Sequence, residues 1–167
     1  MKREAYERMT EYIKKDPKKV RLINRLNQIL TGIVFCAYPL FLLILFLEKD
    51  AFLIRAVVVP AVSFGAVTLF RYLLNVPRPY EKFGLEPVLE KDTRGKSFPS
   101  RHVFSVYMIA ATVFVCYPGV GILLGVLGLF LAGIRVAGGV HEPRDVAAGA
   151  VIGILCAVAG YYFIPIA

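Results

Sequence analysis

The chain has only two histidines, His102 and His141, and each falls in a short polar cluster set in apolar sequence. Three such clusters occur: Arg71-x6-Arg78-Pro79, Pro99-Ser100-Arg101-His102 and Arg135-x5-His141-x3-Asp145. A histidine needs little pKa adjustment to act near neutral pH. His141 stands four residues before Asp145, so a helical turn between them lets the carboxylate reach the imidazole and hold one tautomer. Arg71, Arg78 and Arg135 come from separate stretches. Their planar, permanently charged donors fit phosphate oxygens and the charge that spreads over them during transfer. Ser100 and the backbone N–H groups that open the next apolar stretch add donors of the helix N-terminal kind.

The elements that must carry these residues are apolar. Of the 167 residues 57% are hydrophobic and the mean hydropathy is +0.64, too high for an ordinary soluble domain and pointing to a membrane protein. Ile29 to Leu47 runs nineteen residues without a charge, enough to cross a hydrocarbon core of ~30 Å at ~1.5 Å per residue. Pro39 should kink that span. A second span follows over about 51–74, and residues 75–98 form a polar loop over the membrane surface. Val103 to Ile134 is uncharged for thirty-two residues, too long for one crossing, and Tyr117-Pro118-Gly119 should divide it into a helical hairpin. Val146 to Ala167 is the last span. The fold class expected is all-α: a bundle of about five transmembrane helices with an amphipathic helix before it. Residues 1–27 form the basic amphipathic segment and 28–167 the bundle, together one domain. With five spans, the end of the second, the start of the third, the end of the fourth and the start of the fifth share one membrane face. Those are the places of Arg71 and Arg78, His102, Arg135, and His141 with Asp145.

The three clusters resemble the signature of the type 2 phosphatidic acid phosphatase superfamily, which also includes glucose-6-phosphatase and the vanadium haloperoxidases. That family's pattern reads K-x6-R-P, then P-S-G-H, then S-R-x5-H-x3-D. Order and both internal spacings match, while Arg71 stands for the Lys, Arg101 for the Gly and Ile134 for the Ser. The first change keeps a cation. The second bears on the local backbone if that Gly has a special conformation, and the third removes a hydroxyl donor. The resemblance implies that His141 is the nucleophile that becomes a phosphohistidine and that Asp145 orients it. It implies that His102 is the general acid protonating the leaving oxygen. Arg71, Arg78, Ser100, Arg101 and Arg135 are read as the phosphate-binding set. The implied substrate is a membrane lipid phosphate or pyrophosphate, of the phosphatidic acid, phosphatidylglycerophosphate or polyprenyl pyrophosphate class. It would arrive laterally from the bilayer. Transfer of the phosphoryl group to an acceptor other than water is a variant of the same chemistry. A protein that binds anionic lipid or relays protons through these groups without turnover is the alternative class.

No carboxylates cluster near the motifs, so neither a metal nor another cofactor is expected. Glu81, Glu86, Glu90 and Asp92 have the spacing of a solvated segment, and Glu142 has no assigned role. Arg55, outside the motifs, is read as reaching up to a headgroup. Cys36, Cys116 and Cys156 lack metal or disulfide spacing and read as small buried apolar residues. Gly149-xxx-Gly153 and Gly121-xxx-Gly125 read as close helix packing within the bundle. The net charge of +8 is gathered at the N-terminus and over 78–101, which points to anionic headgroups or phosphate rather than nucleic acid. Tyr6, Met9 and Ile13 at helical spacing among basic residues predict a helix lying on an anionic membrane surface and stopping near Pro17. Residues 1–25 carry nine Lys or Arg. Cytoplasmic segments accumulate such charge, which predicts an integral membrane protein of a prokaryotic plasma membrane with N-terminus and site cytoplasmic. The sequence leaves the oligomeric state open.

Overall fold

In the computed structural model residues 1–90 and 94–163 are described. Lys91 and Asp92 of the polar loop, and the last four residues of the expected final span, lie outside them. All regular structure among the described residues is helical: α1 (Arg3–Lys14), α2 (Pro17–Leu47), α3 (Phe52–Leu74), α4 (Pro79–Phe83), α5 (Arg101–Cys116), α6 (Pro118–Ala137) and α7 (Pro143–Val158). A π-helical turn, Ala159–Phe163, continues α7.

Local chemistry accounts for the boundaries. Asp16 caps α2, its side chain accepting from the Lys18 N–H at 2.8 Å, and Pro17 fills the first helical position, where no N–H is needed. With no Gly or Pro until Gly32, the helix runs unbroken from polar sequence into the apolar run and on through Pro39. The division at 27/28 therefore falls inside one helix. Asn75 ends α3 in the left-handed region at φ 41°, a conformation Asn tolerates. The break expected at 117–119 is there: α5 ends at Cys116 and Pro118 opens α6. The surface loop differs from expectation in containing α4, opened by Pro79, and in burying Val88 and Leu89.

The bundle is built around α5, which packs against α2, α3, α6 and α7. Its Val106, Ile109 and Val113 join one core cluster, and Phe104 and Met108 join the other. The surrounding helices present apolar residues outward, among them Leu43, Leu69, Leu129 and Leu155, each half exposed or more. Cys36 also lies on this outer face rather than buried. Among the described residues four helical stretches are long and apolar enough to cross a membrane, and α5 is a shorter apolar one. The chain is thus an all-α integral-membrane bundle, as expected, with four long apolar helices and one shorter among the described residues. At sixteen residues α5 spans only about 24 Å. Enclosed by protein, it does not have to match the hydrocarbon thickness.

Glycines hold α7 close to α5. A Cβ on Gly149 would lie 2.6 Å from the Ser100 carbonyl oxygen, and one on Gly153 would lie 2.7 Å from that of Phe104. Two further expectations change. Arg55 does not reach a headgroup: it donates to the carbonyls of Gly160 (3.2 Å) and Tyr161 (2.6 Å), in the π-helical turn. The apolar stripe of α1 is not spent on lipid either. Tyr6 is fully buried, and Thr10 and Ile13 nearly so, by the protein itself.

Candidate active site

The ends of α3 and α6 and the starts of α5 and α7 meet on one face, as the span count requires. Between them and the 75–100 segment lies a cavity of about 320 Å³, lined by Arg71, Arg78, Arg94, Lys96, Arg101, His102 and His141 with Thr68, Tyr72 and Gly95. Among the described residues five cations and two histidines line it, and no carboxylate does. Arg94 and Lys96 were outside the candidate set, although the charge of the 78–101 segment marked them.

His141 and Asp145 are brought together, though not by the expected helical turn: α7 opens at Pro143 and Glu142 between them is its extended N-cap. Asp145 sits in the first turn of α7, 1% exposed, with Oδ2 3.6 Å from His141 Nδ1. The gap is filled by a residue the motif reading missed. Ser97 Oγ donates to Asp145 Oδ2 at 2.6 Å and lies 3.4 Å from His141 Nδ1. The Glu142 N–H donates to the same carboxylate oxygen at 3.0 Å. An acceptor on the Nδ1 side holds the ring proton there and leaves Nε2 with its lone pair. Burial pushes His141 down to about 4; the hydrogen bond it donates to Asp145 opposes this, and the charges of Arg135 and Arg78 reinforce it. At neutral pH the imidazole is uncharged. Ser97 carries no periodic or charge signal; only its place between Gly95 and Pro99 puts it here.

The arginines serve both cavity and scaffold. Arg71 donates to the carbonyls of Lys96, Ser97 and Pro99, so the last turn of α3 ties down the segment that bears Ser97. Arg78 donates through Nε to the Gly95 carbonyl (3.1 Å) and through NH1 to that of Val140 (3.2 Å). Arg101, the first residue of α5, is ordinary helix, so no special backbone is required where the family pattern has Gly. Its guanidinium lies 5.6 Å from the centre of the Phe64 ring, at the cavity wall. Two of the expected phosphate ligands stand behind the wall instead of lining it. Ser100 is completely buried, its N–H donating to the Asp145 carbonyl at 2.8 Å and its Oγ without a partner. Arg135, 3% exposed, donates through NH1 to Asn27 Oδ1 (3.1 Å), and its NH2 lies 3.3 Å from His102 Nδ1. A guanidinium can only donate, so this contact fixes Nδ1 as the acceptor.

Glu142, unassigned by sequence, is 4% exposed and gathers cations: Arg144 Nε and the amine of Met1 at 3.1 Å each, and Lys82 Nζ at 3.5 Å. Glu81 is not merely solvated, since its carboxylate accepts from the N–H groups of Arg78 and Gly95, both at 2.8 Å. Among the described residues no three or more His, Cys, Asp or Glu gather as a metal site.

Comparison with known proteins gives three findings. The model of the PAP2 superfamily matches residues 51–167, which includes all three polar clusters. The bacitracin transport permease protein BcrC of Bacillus licheniformis is 38% identical over 69 residues, a stretch that is 41% of this chain and only 34% of that one. The fold is that of two solved structures. Aquifex aeolicus LpxE superposes with a TM-score of 0.69 at 22% identity, over 94% of this chain and 92% of its own. The first transmembrane PAP2 type phosphatidylglycerolphosphate phosphatase from Bacillus subtilis gives 0.63 at 20% identity, over 96% and 84%.

Proposed function

The chain belongs to the PAP2 superfamily, and on that premise we propose that residues 1–167 form one phosphatase domain hydrolysing a membrane lipid phosphate or pyrophosphate through a phosphohistidine. The observation that carries this reading is the basic cavity on which His141, His102, Arg71, Arg78 and Arg101 converge at one end of the lipid-facing helices. The Bacillus subtilis structure is named for a lipid monophosphate of this kind.

His141 Nε2 attacks phosphorus while the bond from phosphorus to the lipid oxygen breaks. Asp145, through Ser97 and directly, stabilises the ring as positive charge develops on it. His102 gives a proton to the leaving oxygen. To act as an acid it first takes a second proton at Nδ1 and gives up its bond to Arg135, a change favoured by the negative charge of an entering phosphate. Arg135 is thereby released toward the cavity, where Arg71, Arg78 and Arg101 stabilise the equatorial oxygens. Water, deprotonated by His102, then cleaves the N–P bond. Inorganic phosphate leaves and His141 is neutral again. No step uses a metal.

The test is phosphate release by the purified protein from a panel of lipid phosphates, with and without chelator. His141→Ala should abolish both turnover and an acid-labile phosphoenzyme while helix content stays unchanged. Strict dependence on added magnesium, or phosphate trapped on His102, would overturn the assignment.

The membrane is read as the plasma membrane of a prokaryote, the similar proteins named above being bacterial by source, and the site as opening to the cytoplasm. Nine basic residues precede the first apolar run, and Lys82, Arg94, Lys96, Arg101 and Arg144 lie on the site face, against Lys49 and Arg55 toward the other. Single cysteines at Glu86 and Gly119 in a background without native cysteines check this. An impermeant reagent applied to intact cells should label the Gly119 position and spare Glu86; the reverse labelling places the site outside.

A further inference from the structure

The turn that carries His141 is preceded by Gly138 and Gly139, and two successive glycines leave a backbone freer than any other pair. The structure restrains that freedom from three directions. The Gly138 carbonyl accepts from the N–H groups of Val88 and Leu89, at 3.0 and 3.1 Å. The Val140 carbonyl accepts from Arg78 NH1 at 3.2 Å. The carbonyl between them, that of Gly139, accepts at 3.1 Å from the hydroxyl of Tyr6, 133 residues away in sequence. Tyr6 has no exposed surface. Its ring lies 5.4 Å from that of Phe83 in α4, so it is wedged between the helix that follows Arg78 and the turn that leads to His141. Gly139 is shaped to receive it: φ is +76°, and a Cβ there would stand 2.6 Å from the Tyr6 oxygen. Burial pushes the phenol up to about 12, so it stays protonated and can only gain by donating.

We infer that Tyr6 is a positioning residue for the reaction at His141: its hydroxyl holds the Gly139 carbonyl and so sets the backbone from which the imidazole projects. The inference rests on the reading of His141 as nucleophile. It assigns α1, which lies outside residues 51–167 matched by the family model, a part in the chemistry. Of the three restraints, the one from Tyr6 alone comes from outside residues 51–167. Without the hydroxyl, a buried carbonyl loses its partner and the two glycines can turn to find another.

Tyr6→Phe tests this, since it removes one oxygen and keeps the ring against Phe83. The expected result is a fall in kcat of about tenfold with KM little changed, because misplacing a reacting group acts on the chemical step. Tyr12→Phe, which removes a hydroxyl from the exposed face of the same helix, is the control and should match wild type. A second readout does not depend on turnover. With only two histidines in the chain, ¹⁵N-histidine spectra in detergent are assignable through His141→Ala. Tyr6→Phe should shift or broaden the His141 signals and leave those of His102 in place. Wild-type kcat together with unmoved His141 signals, even with a lowered melting temperature, would reduce Tyr6 to a packing residue and overturn the inference. If wild type releases no phosphate from any lipid phosphate, the functional reading fails by itself. The spectra then still decide for Tyr6: a moved His141 signal upholds the positioning, and an unmoved one ends it.

Discussion

His141 carries a pH dependence that an exposed histidine would not. Desolvation lowers its pKa to about 4, against about 6.5 in the unfolded chain. The neutral, nucleophilic form therefore persists well below pH 6.5, and the acid limb of kcat/KM that belongs to this residue should fall near 4. An acid limb near 6.5 in kcat/KM, tracking loss of phosphoenzyme, would contradict the buried setting. Stability follows the same sign. The depressed pKa contributes stability that is fully present above about 6.5 and is lost as pH falls toward 4, because the unfolded chain binds a proton the folded site resists. Ser97→Ala removes the hydroxyl between His141 and Asp145. It should cost about tenfold in kcat, ~1.4 kcal/mol of barrier, with substrate affinity nearly unchanged; an equal loss in KM alone would mean that Ser97 binds instead of orienting. Spacing made the His141–Asp145 pair legible, although the two meet across the extended N-cap Glu142 and not within a helical turn. Ser97 was illegible because its role comes from tertiary approach, and a hydroxyl in a loop leaves no periodic mark.

Helix α7 sets the distance between the two histidines by the closeness of its packing on α5. The small residues at 149 and 153 were readable as a packing stripe, but their partner was not. They face the backbone of Ser100 and Phe104, which fastens the start of α7 to the start of α5 and joins Asp145 O to Ser100 N at 2.8 Å. Gly149→Leu should push α7 outward and cut kcat by roughly a hundredfold, the scale of a ~1 Å misplacement. Gly125→Leu, with nothing within 4 Å of the added carbon, should leave it unchanged. Phosphate-release rates at equal helix content by circular dichroism make the comparison. Apolar runs revealed α3, α6 and α7 because lipid demands length and uniform hydrophobicity. The same criterion mistook the start of α2, whose first turns are polar yet helical, and the face of α1, whose stripe meets protein.

At the scale of the molecule, the convergence of three distant clusters followed from counting crossings, and it held although α5 proved shorter than a full span. A helix joined end to end with its neighbour fixes which face each motif reaches, whatever its length. Helix α6 is about 30 Å long and α5 about 24 Å, and α5 ends where α6 begins, at Tyr117. The start of α5, where Arg101 and His102 stand, therefore falls roughly 6 Å short of the end of α6. A lipid phosphate held at the headgroup plane must descend to be attacked, and the distance it descends belongs partly to the bilayer. Thickness thus becomes a reactant of sorts. In vesicles of short-chain phosphatidylcholine the film thins toward the histidines, and in long-chain vesicles it lifts the phosphate away. Measured on one substrate, kcat/KM should climb as the host lipid shortens, with no change in the protein at all.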